Sequence, residues 1–392
     1  MLLPITKPVF DEDELELIAR TLESGWVAQG PNVQAFEEQF RQFCGAACAV
    51  AASSCTTALH LGLLALGVRP GDEVLVPSFT YIATANAVEY CGAKPVFCDI
   101  DLDTFTIDPR DSERRITDKT KGIVPVSLFG WPLDYAWLKD LAQKHRLWIL
   151  EDAACAFGAR RNNVHAGTEA DASAFSFHPR KAITTGEGGM LVTNNTALAE
   201  TARCLRNHGA SRSDLERHID KGGSLLPDFN VLGYNYRMTD IQGAIGLAQM
   251  KKADAILAQR RQAAARYHDQ LAEFSWLRTP QETDGAQHAY QSYVALMSPG
   301  DKRPPQLSDL DELNRKRNRM FASLEESGVS VRQGTHAVHS LGYYRHKYGL
   351  NEMDYPQSLL ADRLSLTLPL FCGMEEKEIA YVADCLKRLE RI

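Results

Sequence analysis

Three short segments carry side chains whose types and spacing could do chemistry. The first, SAFSFHPRKAITTGEGGMLVTN, runs from Ser173 to Asn194 and places Lys181 a few residues after a strand-like run. The polar, glycine-rich TTGEGG then leads into a second strand. A lysine held on a tight turn at a strand end stands where α/β folds gather their ligands. Taken alone, it reads more simply as a surface lysine, with Gly186, Gly188 and Gly189 serving a hairpin. The second segment, ILEDAACAFGA (Ile149–Ala159), delivers Glu151 and Asp152 to the end of an apolar strand, and the small residues that follow admit a flat ligand. A buried aspartate there needs a cationic partner, because an unpaired buried carboxylate is costly to keep ionised. A pyridinium nitrogen would serve, with the aspartate keeping it protonated; capping of the next helix is an equal reading. The third segment, AASSCTTALHL (Ala51–Leu61), ends a strand in small and hydroxyl residues and begins a helix near Thr56 or Thr57. Such a terminus can bind an anion, although a plain Ser/Thr cap is the commoner use.

These segments need a scaffold, and the hydrophobic pattern supplies one. Asp11 and Glu14 make a capping box that opens a helix, with Leu15, Ile18 and Leu22 as its apolar stripe. Val33, Phe36, Phe40 and Phe43 give a second amphipathic helix. Strands are expected at Cys48–Ala52, Glu73–Pro77, Pro95–Ile100, Gly122–Leu128 and Leu147–Asp152. Helices near Thr56–Leu66, Ile82–Cys91 and Leu133–His145 separate them. Short apolar strands alternating with helices predict a mostly parallel sheet covered on both faces. Two further strands, Ala172–Phe177 and Gly189–Thr193, precede a helix near Ala197–Arg206 and a long loop from Ser211 to Gly233.

A second capping box, Thr239 with Gln242, opens a long helix that runs towards Leu271 and links two domains. A strand at Tyr293–Met297, a helix near Leu310–Ser327, a strand at Val329–Arg332 and a closing helix from about Glu375 then form a smaller α+β unit. The expected division is a large domain over residues 1–250 and a small one over 251–392. The chain's 392 residues exceed one ordinary core.

Composition narrows the function. A net charge of −7 argues against general affinity for nucleic acid or acidic membranes, while a local basic pocket could still hold a phosphate. The opening MLLPITKPVF lacks a charged stretch followed by an apolar core, and the longest apolar runs are too short for a bilayer. A cytoplasmic location is expected. Nine cysteines, scattered and without CxxC pairs, read as free thiols, and no metal site is expected.

Together the three segments resemble the sugar-aminotransferase branch of the fold-type I enzymes that use pyridoxal phosphate (PLP), the DegT/StrS family. The resemblance covers nearly the whole chain. It begins with SGWVAQGPNVQAFEEQF (Ser24–Phe40), PSFTYIATANAV (Pro77–Val88) and DIDLDTFTIDP (Asp99–Pro109), and takes in EDAA and FSFHPRK...TTGEGG. It ends with GYNYRMTDIQGAIG (Gly233–Gly246) and LPLFCGM (Leu368–Met374). It implies a large domain with a seven-stranded-type sheet between helices and a smaller C-terminal domain. It also implies amino transfer from glutamate or glutamine to a 3- or 4-keto sugar nucleotide, by a ping-pong route through pyridoxamine phosphate.

Residue by residue, Lys181 matches the family's Schiff-base lysine and proton shuttle, and Asp152 the partner of the pyridine nitrogen. Tyr81 matches the aromatic that stacks on the ring, Ser176 a hydroxyl that binds the phosphate, and the amides of Cys55 and Thr56 the helix-terminus cradle. Asn235 matches a residue that reaches the phosphate of the neighbouring subunit, which implies a homodimer with shared sites. Two positions depart from the pattern. Cys55 stands where many relatives have glycine, and Cys155 where many have Gln or His against the cofactor's phenolic oxygen, a stronger partner than a thiol.

Substrate contacts are expected from VRQGTHAVH, through Arg332, His336 and His339, and from His178 and Arg180 beside Lys181. A guanidinium suits both a diphosphate and a donor carboxylate; a surface arginine and satisfied histidines are the plain reading. A PLP/PMP-dependent sugar dehydratase is the nearest alternative, but those relatives typically carry His at the lysine position. A non-enzymatic regulator with the same fold would not need Lys181 and Asp152. A dinucleotide reductase lacks its GxGxxG after the first strand.

Overall fold

The computed structural model describes residues 2–212, 215, 218, 226–283 and 285–389. Its main sheet is built from β1 (Cys48–Ala52), β2 (Glu73–Pro77), β3 (Lys94–Cys98), β4 (Thr120–Ile123), β5 (Trp148–Asp152), β6 (Ala172–Ser176) and β7 (Gly189–Thr193). The spatial order is β1-β7-β6-β5-β4-β2-β3. Neighbours from β6 to β3 are parallel; β7 alone runs antiparallel, to both β6 and β1.

Successive side chains of a strand point to opposite faces, and each face has its own helical cover. Val50, Ala52, Ala174, Leu191 and Leu150 pack with helices α3 (Cys55–Ala65), α4 (Ala83–Tyr90) and α7 (Thr196–Arg206), the last following α5 (Pro109–Arg114) and α6 (Tyr135–His145) in the chain. Ala49, Ala51, Phe175, Met190 and Val192 pack on the other face against Val33, Phe36 and Phe40 of α2 (Pro31–Cys44), which follows α1 (Glu12–Ser24). Helix α6 covers the rest of that face through Leu138 and Leu141, over Leu75, Ile123 and Ile149. The result is the three-layer α/β architecture that the alternating pattern predicts.

A second core gathers Tyr293–Met297, Leu366 and Leu368 with Tyr267 and Leu271. There β8 (Leu277–Arg278), β9 (Tyr293–Met297) and β10 (Ser365–Leu368) form an antiparallel sheet, with β9 in the middle. Phe79, Val126, Leu128 and Phe129 from the large sheet's strand ends join this core. The two cores therefore meet where the parallel strands end.

Four local expectations change. The apolar stripe of α1 faces outward: Leu15 is 63% and Leu22 55% exposed. The inward face carries Glu14 and Thr21, because α1 is held by polar contacts; Gln249 Nε2 donates to Glu14 at 2.6 Å, and Lys252 pairs with Glu14 at 2.8 Å and Asp11 at 2.7 Å. The long helix after Thr239 is two helices, α8 (Asp240–Lys251) and α9 (Ala253–Leu271), broken at Lys252 (φ −109°, ψ 8°). Strand β4 stops at Ile123 rather than Leu128, since Pro125 has no N–H to donate and the chain then turns at Phe129 (φ 59°). Val329–Arg332 makes only single bridges, Val329 to Leu3 and Arg332 to Thr367. The loop expected over 211–233 lies in part outside the described residues. Among the described residues no helix is long and apolar enough to cross a membrane.

Candidate active site

A cavity of about 760 Å³ lies at this junction, at the C-terminal ends of the parallel strands, the usual ligand position in α/β sheets. Lys181 projects from the loop joining β6 to β7. That loop is closed on itself: Phe177 O accepts from Thr185 N at 3.0 Å and from Thr184 Oγ1 at 2.8 Å, and Lys181 N donates to His178 O at 2.8 Å. The Lys181 amine lines the cavity and donates to Cys155 Sγ at 3.1 Å. Burial disfavours its ammonium form, yet the net displacement is upward, because Cys155, Cys55 and Asp152 stand close. Burial also pushes the Cys55 thiol well above its ordinary range.

The two carboxylates at the end of β5 part ways, as alternation requires. Glu151 is fully buried, accepts from Ser127, Tyr135 and Gly167 N, and is structural. Asp152 lines the cavity, accepting from Thr84 Oγ1 at 2.7 Å and Ala154 N at 3.1 Å. It makes no salt bridge among the described residues, and burial pushes its carboxyl upward. A protonated pyridine nitrogen fits that requirement.

The third segment supplies the anion end. The N-cap of α3 is Ser54, in a capping box with Thr57. Cys55 and Thr56 therefore occupy the first two helical positions, whose amides have no intrahelical acceptor, and both residues line the cavity. Gly189 permits this arrangement: a Cβ there would stand 2.4 Å from Ser54 C and O and 2.5 Å from Cys55 N. Ser176, at the end of β6, lines the same region. An amine, an unpaired buried carboxylate and a helix terminus in one cavity fit PLP.

Tyr81, Cys155, His178, Arg180, Arg332 and His336 also line the cavity. His336 arrives through the pairing of Phe79–Thr80 with His336–Ala337, and Arg332 through its bridge to Thr367. The Arg332 Nε is buried without a partner among the described residues, and burial together with Arg180 lowers its guanidinium pKa. His339 does not join them. It is fully buried, its Nδ1 bonded to Ser78 Oγ and its Nε2 3.1 Å from Glu352 O, against the Tyr355 ring; the plain reading of a satisfied histidine is correct for it. Asn235 also lies outside its own chain's cavity, exposed and bridged to Asn207.

Residues that the motifs did not single out complete the walls, as Phe129 and Gln291 do, or support them from behind, as Thr84 does. Thr84 orients Asp152, Gln291 Nε2 donates to Arg180 O at 2.8 Å, and Phe129, with its left-handed backbone, packs on Phe79 and Phe105. Only Thr84 had a local signal, four residues after Thr80 in a helix-opening segment.

Fold and site together define a PLP-dependent aminotransferase. Residues 8–387 match the model of the DegT/DnrJ/EryC1/StrS aminotransferase family, and the chain belongs to that family. It is 36% identical over 387 residues to the spore coat polysaccharide biosynthesis protein SpsC of Bacillus subtilis (98% of this chain, 96% of that protein). It is 35% identical over 387 residues to the GDP-perosamine synthase of Caulobacter vibrioides (98% and 97%). A Streptococcus pneumoniae protein assigned as a sugar aminotransferase, solved in PMP and PLP forms, superposes with TM-scores of 0.91 and 0.90 at 28% identity. The PMP form covers 99% of each chain. This chain is accordingly a PLP enzyme of a sugar aminotransferase family.

Proposed function

We propose that the enzyme transfers nitrogen from glutamate or glutamine to a 3- or 4-keto sugar nucleotide, in a ping-pong cycle, for cell-surface polysaccharide or amino-sugar biosynthesis. The observation that carries this reading is the Arg180–Arg332 pair in the cavity that also holds Lys181 and Asp152. Two guanidiniums facing one space call for an anionic partner, and both a diphosphate and a carboxylate meet that need. The GDP-linked product named for the Caulobacter relative supports the diphosphate.

In this reading PLP supplies an electron sink. Lys181 moves the proton at the reacting carbon, and Asp152, held by Thr84, keeps the ring nitrogen's proton in place. The Cys55 and Thr56 amides and Ser176 bind the phosphate, and Tyr81 covers the ring. His178 and His336 line the acceptor's side. Asn235 completes the partner subunit's phosphate site in a homodimer. Its exposure beside the exposed Phe229, Val231 and Leu232 supports a covered interface there. Residues 1–250 form the cofactor domain and 251–392 the small domain, a boundary supported by the break at Lys252. Nine free cysteines accord with a reducing, cytoplasmic setting.

The test is a panel of GDP-, UDP- and dTDP-linked 3- and 4-keto sugars incubated with isotopically labelled glutamate or glutamine. Labelled nitrogen should enter one sugar nucleotide, read by product mass, and Lys181→Ala should abolish the transfer. Acceptance of a keto-cyclitol in place of every sugar nucleotide would overturn the acceptor class.

A further inference from the structure

The sulfur of Cys155 differs in its contact from every other thiol whose hydrogen bond is resolved. Cys44, Cys55, Cys91, Cys98 and Cys372 lie 3.5–3.8 Å from backbone carbonyl oxygens. Cys155 Sγ lies 3.1 Å from an amine, the Nζ of Lys181. Both groups line a cavity that admits small molecules, and Cys155 is only half-buried. A carbonyl oxygen cannot trap an oxidised sulfur, whereas an amine can.

We propose that Cys155 and Lys181 form an oxidation-made covalent pair, in which a peroxide converts the thiol to a sulfenic acid and the lysine amine captures it as a sulfenamide. In the first step the sulfur gives two electrons to the peroxide. The O–O bond breaks, an S–O bond forms, and one water leaves. In the second step Lys181 releases a proton to solvent, its nitrogen lone pair attacks sulfur, and an S–N bond replaces the S–O bond as a second water departs. The pair is set up for this because the two atoms are already in contact, so no backbone movement is required. Two equivalents of a small thiol reverse the link, the first displacing nitrogen from sulfur and the second restoring Cys155.

The consequence rests on the reading of Lys181 as the lysine that engages the cofactor. A lysine bonded to Cys155 cannot do so, and a lysine occupied by the cofactor is shielded from the sulfur. Cys55 lines the same cavity and offers the competing fate, a Cys55–Cys155 disulfide.

The test treats the purified full chain, with and without PLP, with hydrogen peroxide, then alkylates the free thiols in denaturant and maps the peptides by mass. The expected result is a loss of two hydrogens, about 2 Da, in the PLP-free protein. The Cys155 and Lys181 peptides should be joined, dithiothreitol should restore them, and bound PLP should suppress the product. Cys55→Ser should keep the link. Lys181→Arg, with its fold checked by circular dichroism, should lose the link and accumulate oxygen on Cys155. Oxygen gain at Cys155 in the wild type with the Lys181 peptide unmodified would overturn the proposal. So would a two-hydrogen loss that disappears in Cys55→Ser and survives in Lys181→Arg. Neither outcome depends on amino transfer, so failure here leaves the proposed function standing.

Discussion

Gly189→Ala separates the phosphate cradle from the rest of the site by a single methyl group. The added Cβ would lie 2.4 Å from Ser54 C and O and 2.5 Å from Cys55 N, where ordinary contact begins near 3.4 Å, so β7 and the start of α3 must part by roughly 1 Å. All three neighbours are backbone atoms, so no side-chain rotation relieves the clash. The Cys55 and Thr56 amides move with them, and an N–H···O bond of about 2.9 Å stretched by about 1 Å falls outside hydrogen-bond range. Losing one charge-assisted bond costs about 1.5–3 kcal/mol, roughly a ten- to hundredfold weaker cofactor Kd. Overpacking adds about 1–3 kcal/mol of lost stability. The assay is a PLP titration followed by absorbance, beside a thermal melt of the cofactor-free chain. Gly186→Ala is the control. It has open space around its Cβ but a left-handed backbone (φ 81°), so it should cost about 1–2 kcal/mol of stability with cofactor affinity near wild type. Wild-type PLP affinity in Gly189→Ala, or equal losses in both variants, would refute the cradle.

Asp152→Asn should still bind PLP but lose at least about 10²-fold in turnover, the scale of a misplaced proton partner; near-normal kinetics would reduce Asp152 to a structural cap. If Asn235 completes the partner's site, mixing inactive Lys181→Ala and Asn235→Ala should return up to about a quarter of wild-type activity after random subunit exchange, by two-fold symmetry. Verified mixed dimers without activity would place Asn235 in its own chain. Burial holds His165 and His339 at a pKa of about 4 in the folded state, against about 6.5 unfolded. As pH falls from 6.5 towards 4 the unfolded chain takes up protons that the folded chain refuses, so stability is full above this window and declines through it. Each histidine contributes up to about 3 kcal/mol of that decline. Urea melts across the window should show it, and replacement of both by Gln should make it shallower, with buried His60 and His288 keeping the rest; an unchanged slope in the double variant would refute the assignment.

Lys181 and Asp152 could be read from the chain because each is announced locally, one by a strand followed by glycines, the other by an apolar strand ending in acid and small residues. The alternating strands and helices announced the three layers in the same way. Gln291 and Phe129 were not legible, since their roles exist only after distant elements meet or the backbone turns at φ 59°; Thr84 had a local signal, but its bond to Asp152 exists only once two distant segments meet. Periodicity located α1 but chose the wrong face, because a stripe of Leu15 and Leu22 says nothing about a neighbour that offers Gln249 and Lys252 instead. In VRQGTHAVH, two residues, Ala337 and Val338, separate a cavity histidine from a buried one. The pairing of His336 with Thr80, followed by the turn at Val338–Ser340, decides between them, and neither feature has a local signature.

The one antiparallel strand explains how such separate segments reach a single cavity. In an all-parallel sheet, the segment after β6 would have to cross the whole layer before its next strand could begin. Because β7 reverses, its first residue lies at the edge where β6 ends, and the loop carrying Lys181 stays beside the strand ends. The same reversal puts Gly189 opposite Ala52, the last residue of β1, in contact with the turn that opens α3. The turn after β1 then carries the cradle over β7 to β6, where Cys55 Sγ lies 3.6 Å from Ala174 O, and Ala174 is paired with Asp152 of β5. A ligand with an anion at one end and a basic ring nitrogen at the other suits a cavity lined by Cys55, Thr56, Lys181 and Asp152. Of the glycines in TTGEGG, Gly189 is the one this contact requires, because there the reversed strand brings its backbone against the helix terminus.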